Sequence, residues 1–187
     1  MTAFFFDVGA NTGQTFDEFL VKRSEWDGAT VVCFEPSPRH VPALMQKAAE
    51  HGKRFQVVVC PFGMRGNSGI ETFHQKDDPR GDSFERSLTS DHETKNIEVG
   101  FQLHVLSVGI VEFISEMTAP GDTIALKLDC EGSEYEILEA LLRSPLALAR
   151  VDPILVEWHT IGSPHRDRGH ITHDLIAAGK TVQPWTL

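Results

Sequence analysis

AFFFDVGANTGQTFDEFL, residues 3–20, decides how this chain folds. An apolar run ends at Asp7, a turn carrying Gly9 and Gly13 follows, and Phe16, Phe19 and Leu20 then recur at helical spacing. Strand, glycine turn and helix form the opening unit of an α/β sheet. Glycine in that turn lets the backbone bend sharply and approach a ligand without a Cβ in the way. The same alternation runs on. TVVCFE (30–35), FQVVVC (55–60), TIALKLD (123–129) and PILVEWH (153–159) read as strands. Residues 37–52 read as a helix with Pro38 near its first turn and Gly52 as its stop; 133–144 and 171–179 also read as helices, and KTVQPW as a last short strand. Strands that are apolar on both faces and separated by helices predict an α/β fold: a doubly wound, mostly parallel sheet with helices on both faces.

The exception lies at 64–107. GMRGNSGIETFHQ suggests a short polar hairpin with glycine turns. Residues 76–100 are polar, charged and poorly periodic, and read either as a flexible surface loop or as a lid over a site. QLHVLS (102–107) suggests another strand, followed by the helix VGIVEFISEM.

The 187 residues suit a single domain, 1–187, able to bury a core of its own. No apolar run reaches the roughly 20 residues of a membrane span. Met1 leads at once into FFFDVG with no basic leader, so a cytoplasmic protein is expected. The net charge of −10 disfavours nucleic acid as a partner, because no basic surplus is there to displace counterions. Cys33, Cys60 and Cys130 lie in or beside apolar runs without a CxxC, and read as reduced thiols.

In a doubly wound fold, ligands bind at the carboxyl ends of the strands. Glu35 ends the second strand, where a carboxylate can accept two hydrogen bonds from a ribose diol. The first turn is G-x-x-x-G, with Asn11 where a dinucleotide fingerprint would place its second glycine. Asp7, Asp17 and Glu18 make its walls acidic, which opposes a pyrophosphate and suits an ammonium or a sulfonium. S-adenosylmethionine has a ribose, both of those cations and no phosphate, and fits better than NAD or ATP.

DVGANTGQ (7–14), FEPSP (34–38) and LKLDCEGSEYEIL (126–138) resemble, in order and spacing, the FkbM family of S-adenosylmethionine-dependent methyltransferases. VEWH (156–159) and LIAAGKTV (175–182) resemble its weaker final motifs, so the likeness spans nearly the whole chain. It implies a Rossmann-like class I methyltransferase fold and methyl transfer to a hydroxyl of a sugar, glycolipid or natural product such as a macrolide. Carried onto this sequence, it implies that Asp7, Gly9, Asn11 and Gly13 line the methionine part of the cofactor. Glu35 would hold the ribose, Pro36 and Ser37 would flank the adenine with Ser83 near it, and Asp129 would lie by the transferred methyl. S-adenosylhomocysteine would be the product. The chain starts at the first strand and ends soon after Val182, so the edge hairpin is expected to be short or missing. A second copy in a homo-oligomer is then one way of closing the pocket for a small-molecule or carbohydrate acceptor.

An alcohol is a poor nucleophile and gains from a general base. Asp129, Glu131 and His159 stand at strand ends on the expected face. Asp129 could take the proton or orient the acceptor; His159 has the titration range for base work. Ser133 is a candidate helix N-cap with Glu136 completing the box, which leaves Glu134 a structural role. Lys127, inside a central strand, needs a partner, and Glu157 on a neighbouring strand is a candidate. No metal is expected: His170 and His173 share a helix face, but their run, HRDRGHITH, reads as a solvated surface or an acceptor loop. Arg80, Arg86, His165, Arg166 and Arg168 are loop cations that could meet an anionic group on the acceptor, and Trp158 and Trp185 read as packing residues. Two other readings stay open: a non-catalytic module that binds cofactor or partner, and a nucleic-acid ribose methyltransferase.

Overall fold

The computed structural model describes residues 2–76, 82–84, 99–159 and 167–185. Most of the 76–100 stretch, with Arg80 and Arg86, lies outside them, as do His165 and Arg166. The expected sheet is present. Strands β1 (Ala3–Val8), β2 (Thr30–Phe34), β3 (Gln56–Cys60), β7 (Thr123–Leu128), β8 (Val151–Val156) and β9 (Val182–Pro184) pair in the order β3-β2-β1-β7-β8-β9, every pair parallel. Among the described residues no antiparallel strand lies beside β9. The chain order reverses between β1 and β7, which is where such a sheet opens a crevice.

Alternation along the strands sends side chains to two cores. Phe6, Val8, Val32, Phe34, Leu126, Leu128, Ile154 and Val156 meet helices α3 (Ile110–Met117), α4 (Glu134–Leu142), α5 (Pro145–Leu148) and α6 (Arg168–Ala177). Phe5, Val31, Cys33, Ala125 and Leu155 face the other way, onto α1 (Gln14–Glu18) and α2 (Val41–His51) through Phe16 and Leu44. Being buried on both faces is what makes these strands continuous apolar runs. Helix α2 starts at Val41 with Pro42 in its first turn, so Pro38 lies in the turn before it.

Residues 64–76 do not form a hairpin. β4 (Gly63–Arg65) and β5 (Gly69–Lys76) both pair with β6 (Val99–Gly109), in the order β4-β6-β5, with β4 parallel and β5 antiparallel to it. A polar hairpin has little apolar surface to bury by itself, whereas β6 offers both strands a longer, more apolar partner. The capping box expected at Ser133 is also absent. Arg65, at the end of β4, donates to the Ser133 hydroxyl at 2.9 Å and pairs with Glu136, whose carboxylate also accepts from the Gly66 amide. A largely buried guanidinium has claimed both members of the box. All three cysteines are free thiols, as expected. Burial raises the pKa of all three, Cys60 to about 11 and Cys33 and Cys130 well above the ordinary thiol value.

Candidate active site

A cavity of about 270 Å³ lies outside the carboxyl ends of β1, β2, β7 and β8. Of the residues singled out in the sequence, Gly9, Asn11, Glu35, Pro36, Ser83, Asp129, Glu131 and His159 line it. Asp7, Gly13 and Ser37 stand behind its wall. Gly13 backs onto Lys47 and Leu44 of α2, Ser37 is buried, and Asp7 is fully buried beneath the floor.

The β1 turn is wound on itself. The amides of Gly9 and Ala10 both donate to the Phe34 carbonyl, at 3.0 and 3.1 Å, and the Asn11 amide donates to Glu35 Oε2 at 2.7 Å. Glu35 Oε1 accepts from the Ser37 amide at 2.8 Å. Asn11 holds φ 49, a left-handed conformation that its hydrogen bond to Glu35 supports. Glu35 is thus fixed by two backbone donors, with lone pairs remaining on each oxygen.

Lys127 lies in the floor and is 2% exposed. Its ammonium sits 3.0 Å from Asp7 Oδ1, donates to the Gly9 carbonyl at 2.8 Å, and lies 3.6 Å from Asp129 Oδ2. The expected partner, Glu157, gives way to Asp7 because β1 and β7 pair with Asp7 directly opposite Lys127. Burial alone would lower the lysine pKa, but the Asp7 and Asp129 charges overcome it and raise it. Trp185, 3% exposed, covers the pair with its ring 5.7 Å from the ammonium. Trp158 packs as well, edge-on against Tyr135.

The far end of the cavity is acidic. Beyond β7 the chain turns through Asp129, Cys130, Glu131 (φ 55) and Gly132 (φ 107). His159 reaches this turn from beyond β8. Its Nε2 is 3.6 Å from Glu131, 3.8 Å from Asp129 and 4.0 Å from Glu157, and its Nδ1 is 2.9 Å from the fully buried Glu134. Burial would lower the His159 pKa; the hydrogen bond to Glu134 and the surrounding carboxylates reverse that and raise it to about 9. Glu157 is shifted up by burial and by Asp129. Asp129, Glu131 and His159 bring ligand-type atoms within 4.8 Å of one another, a spacing that an imidazolium between two carboxylates accounts for without an ion. His170 and His173 stand exposed on α6, each beside an aspartate.

The charge on His159 gives a pH-dependent stability. Its folded pKa lies above the ordinary 6.5, so its contribution is complete below 6.5 and is lost as pH rises through about 9. The melting temperatures of wild type and His159→Gln should therefore differ most below pH 6.5 and converge above pH ~9. A gap constant from pH 6 to 10 would contradict this charge assignment.

Sequence reasoning missed three contributors to the site. Asp82 lines the cavity and is held by the hydroxyl of Ser37 at 2.8 Å and by the guanidinium of Arg39. Phe84 reaches the wall by packing over Gly63, where a Cβ would meet its ring at 2.3 Å. Lys127 was legible as a buried charge, but its place in the cavity floor was not.

Residues 7–176 match the family model of the methyltransferase FkbM domain. The chain belongs to the FkbM methyltransferase family. That match takes in every cavity-lining strand end, from the β1 turn to His159. No curated protein and no solved structure matches the chain. An FkbM domain is a methyltransferase domain, and the six-stranded parallel sheet with helices on both faces is the Rossmann-like fold that such a domain requires. Among the described residues, no helix is long and apolar enough to cross a membrane.

Proposed function

We propose that this chain is an S-adenosylmethionine-dependent O-methyltransferase that methylates a hydroxyl of a sugar, glycolipid or natural-product acceptor. One observation carries the choice of cofactor: the amides of Gly9, Ala10 and Asn11 all donate to groups of the protein itself. A turn that bound pyrophosphate would aim such donors at the ligand. Here the Gly9 and Ala10 amides are taken by the Phe34 carbonyl, and the Asn11 amide fixes a carboxylate, Glu35, in the cavity wall. The wall also carries Asp82, Asp129, Glu131 and Glu157, a set suited to a ligand with hydroxyls and positive charge.

Glu35 would accept from the ribose hydroxyls, Pro36 and Ser83 would border the adenine, and Asn11 with the Gly9 backbone would border the methionine end. Asp7, Gly13 and Ser37 would act from behind: Asp7 through Lys127, Ser37 through Glu35 and Asp82, Gly13 through the turn. Bound S-adenosylmethionine supplies a methyl group on a sulfonium, a good leaving group already. The protein's share of the work is therefore to hold the acceptor oxygen in line and to remove its proton. Asp129 and Glu131 offer acceptor oxygens at the acidic end of the cavity. His159, charged near neutral pH, serves as a hydrogen-bond donor there; its deprotonated form could act as base only above pH about 9.

Calorimetric titration with S-adenosylmethionine, S-adenosylhomocysteine and NAD tests the reading. Micromolar binding of the first two and none of NAD is expected. Glu35→Ala should weaken binding of both by roughly 10- to 100-fold, the loss of one or two charge-assisted hydrogen bonds, and should lower the melting temperature as well, because the Asn11 and Ser37 amides lose their acceptor. NAD binding, or equal affinity in Glu35→Ala, would overturn the cofactor assignment.

A further inference from the structure

Glu134 touches no part of the cavity, yet it organises the end where chemistry is placed. It is the first residue of α4 and is fully buried. Its Oε1 accepts from the Cys130 amide at 2.8 Å and lies 2.9 Å from His159 Nδ1; its Oε2 accepts from the Gly132 amide at 3.0 Å. One carboxylate therefore grips two separate pieces of chain. The first is the turn that presents Asp129 and Glu131, held on both sides of Glu131, the residue in the left-handed conformation. The second is the segment beyond β8. The residue after Glu134 and the residue before His159 repeat the join, since Tyr135 packs edge-on against Trp158 with centroids 5.1 Å apart.

We propose that Glu134 is the positioning residue of the methyl-transfer site: by accepting the His159 Nδ1 proton and the amides flanking Glu131, it fixes Nε2 toward Asp129 and Glu131. This rests on the O-methyltransferase reading for its purpose, though not for its geometry. A residue that merely started a helix would cap its own first turn. Glu134 instead points its carboxylate backwards, at amides two and four residues earlier and at a ring 25 positions later. With Nδ1 committed to Glu134, only Nε2 is left to face the cavity. Among the described residues, the charged groups paired with Nε2 are acidic: Asp129 and Glu131 from the turn after β7, and Glu157 from the end of β8, with Lys127 of β7 reaching Asp129 from below. An imidazole left unanchored among them could turn either nitrogen to either carboxylate, and an acceptor would meet no fixed donor.

The test is long-range proton–nitrogen NMR of the histidines in the full chain, with His159 assigned by loss of its signals in His159→Gln. In wild type, Nδ1 should remain the protonated nitrogen up to and beyond the His159 titration midpoint, so that the ring loses its proton from Nε2. Glu134→Gln offers one acceptor oxygen to three donors, and should lower the midpoint by about one pH unit or more and mix the two tautomers. Glu134→Asp, which keeps the charge, should restore part of both. Tyr135→Leu removes the packing join while leaving Glu134 in place, and should leave the tautomer unchanged. A wild-type ring that loses Nδ1–H first overturns the proposal without any variant, so it stays testable even if Glu134→Gln does not fold. So does a Glu134→Gln spectrum identical to wild type, or selective broadening of His159 by added Mn²⁺, which would put a metal ion where this geometry has a proton. If S-adenosylmethionine fails to bind wild type while the His159 signature is as expected, the functional reading fails and the positioning geometry stands.

Discussion

Lys127→Met is expected to destabilise the protein by about 3–5 kcal/mol, because it strands a fully buried carboxylate. Asp7 is 0% exposed, and the Lys127 ammonium 3.0 Å from Oδ1 is its only ion-pair partner among the described residues. Neither Asp7 oxygen has a further hydrogen-bond donor. Methionine fills the aliphatic volume of lysine, so the loss reads out the charge and not a cavity. The double variant Asp7→Val/Lys127→Met tests that attribution. Replacing a buried ion pair by apolar groups of similar size is close to neutral, so most of the lost stability should return. Cofactor affinity should not return with it. The ammonium also donates to the Gly9 carbonyl at 2.8 Å, and that tie to the β1 turn is absent from both variants. Urea unfolding and calorimetric titration separate the two effects. If the double variant is less stable than Lys127→Met alone, the pair is not what makes the single change costly.

The same pair shows what could be read from the sequence and what could not. The sheet was legible because its strands are buried on both faces, so a continuous apolar run such as Phe4–Phe5–Phe6 marks each one. Glu35 and Asp129 were legible because each breaks such a run at its carboxyl end, where a doubly wound sheet binds ligands. The need of Lys127 for a partner followed from burial alone. The partner's identity depends on the register of β1 against β7, set by residues more than a hundred positions apart. Arg65 is a similar case. The Ser133-to-Glu136 spacing is a sound local signal, and it fails because a cation from the second sheet competes for both side chains. That sheet was misread for the same reason, since β6 lies far along the chain from the two strands it joins. Glu134 looked like an ordinary acidic helix start. Its backward reach depends on Glu131 and Gly132 both taking left-handed conformations, and at Glu131 the residue type gives no hint of that. Asp82 sits in a stretch crowded with charged residues, Asp77 and Asp78 among them, so nothing set it apart.

Gly9→Ala should do more harm than alanine at the left-handed Gly13, Gly28, Gly121 or Gly179: destabilisation on the order of 4 kcal/mol or more, with no measurable cofactor binding. Gly9 has φ +77, and a Cβ there would lie 1.8 Å from the carbonyl oxygen of Asp129 and 2.7 Å from its carbon. Both are backbone atoms, so no rotamer change relieves the overlap. The ends of β1 and β7 would have to part. That would break the Asp129 amide's bond to the Val8 carbonyl, at 3.1 Å, and carry Asp129 away from the cavity. Gly28→Ala is the matched control. Gly28 has φ +80 but meets nothing within 4 Å, so its alanine incurs only the left-handed strain of about 1–2 kcal/mol and should leave binding intact. The difference between the two variants measures the contact between strand ends free of the conformational term. Glu35→Ala completes the comparison from the other side, since it should lose binding without touching the contact between the strand ends. If Gly9→Ala unfolds no more easily than Gly28→Ala, the close approach of β1 to the Asp129 carbonyl does not hold the site together, and the placement of Asp129 at the methyl-transfer end loses its structural basis.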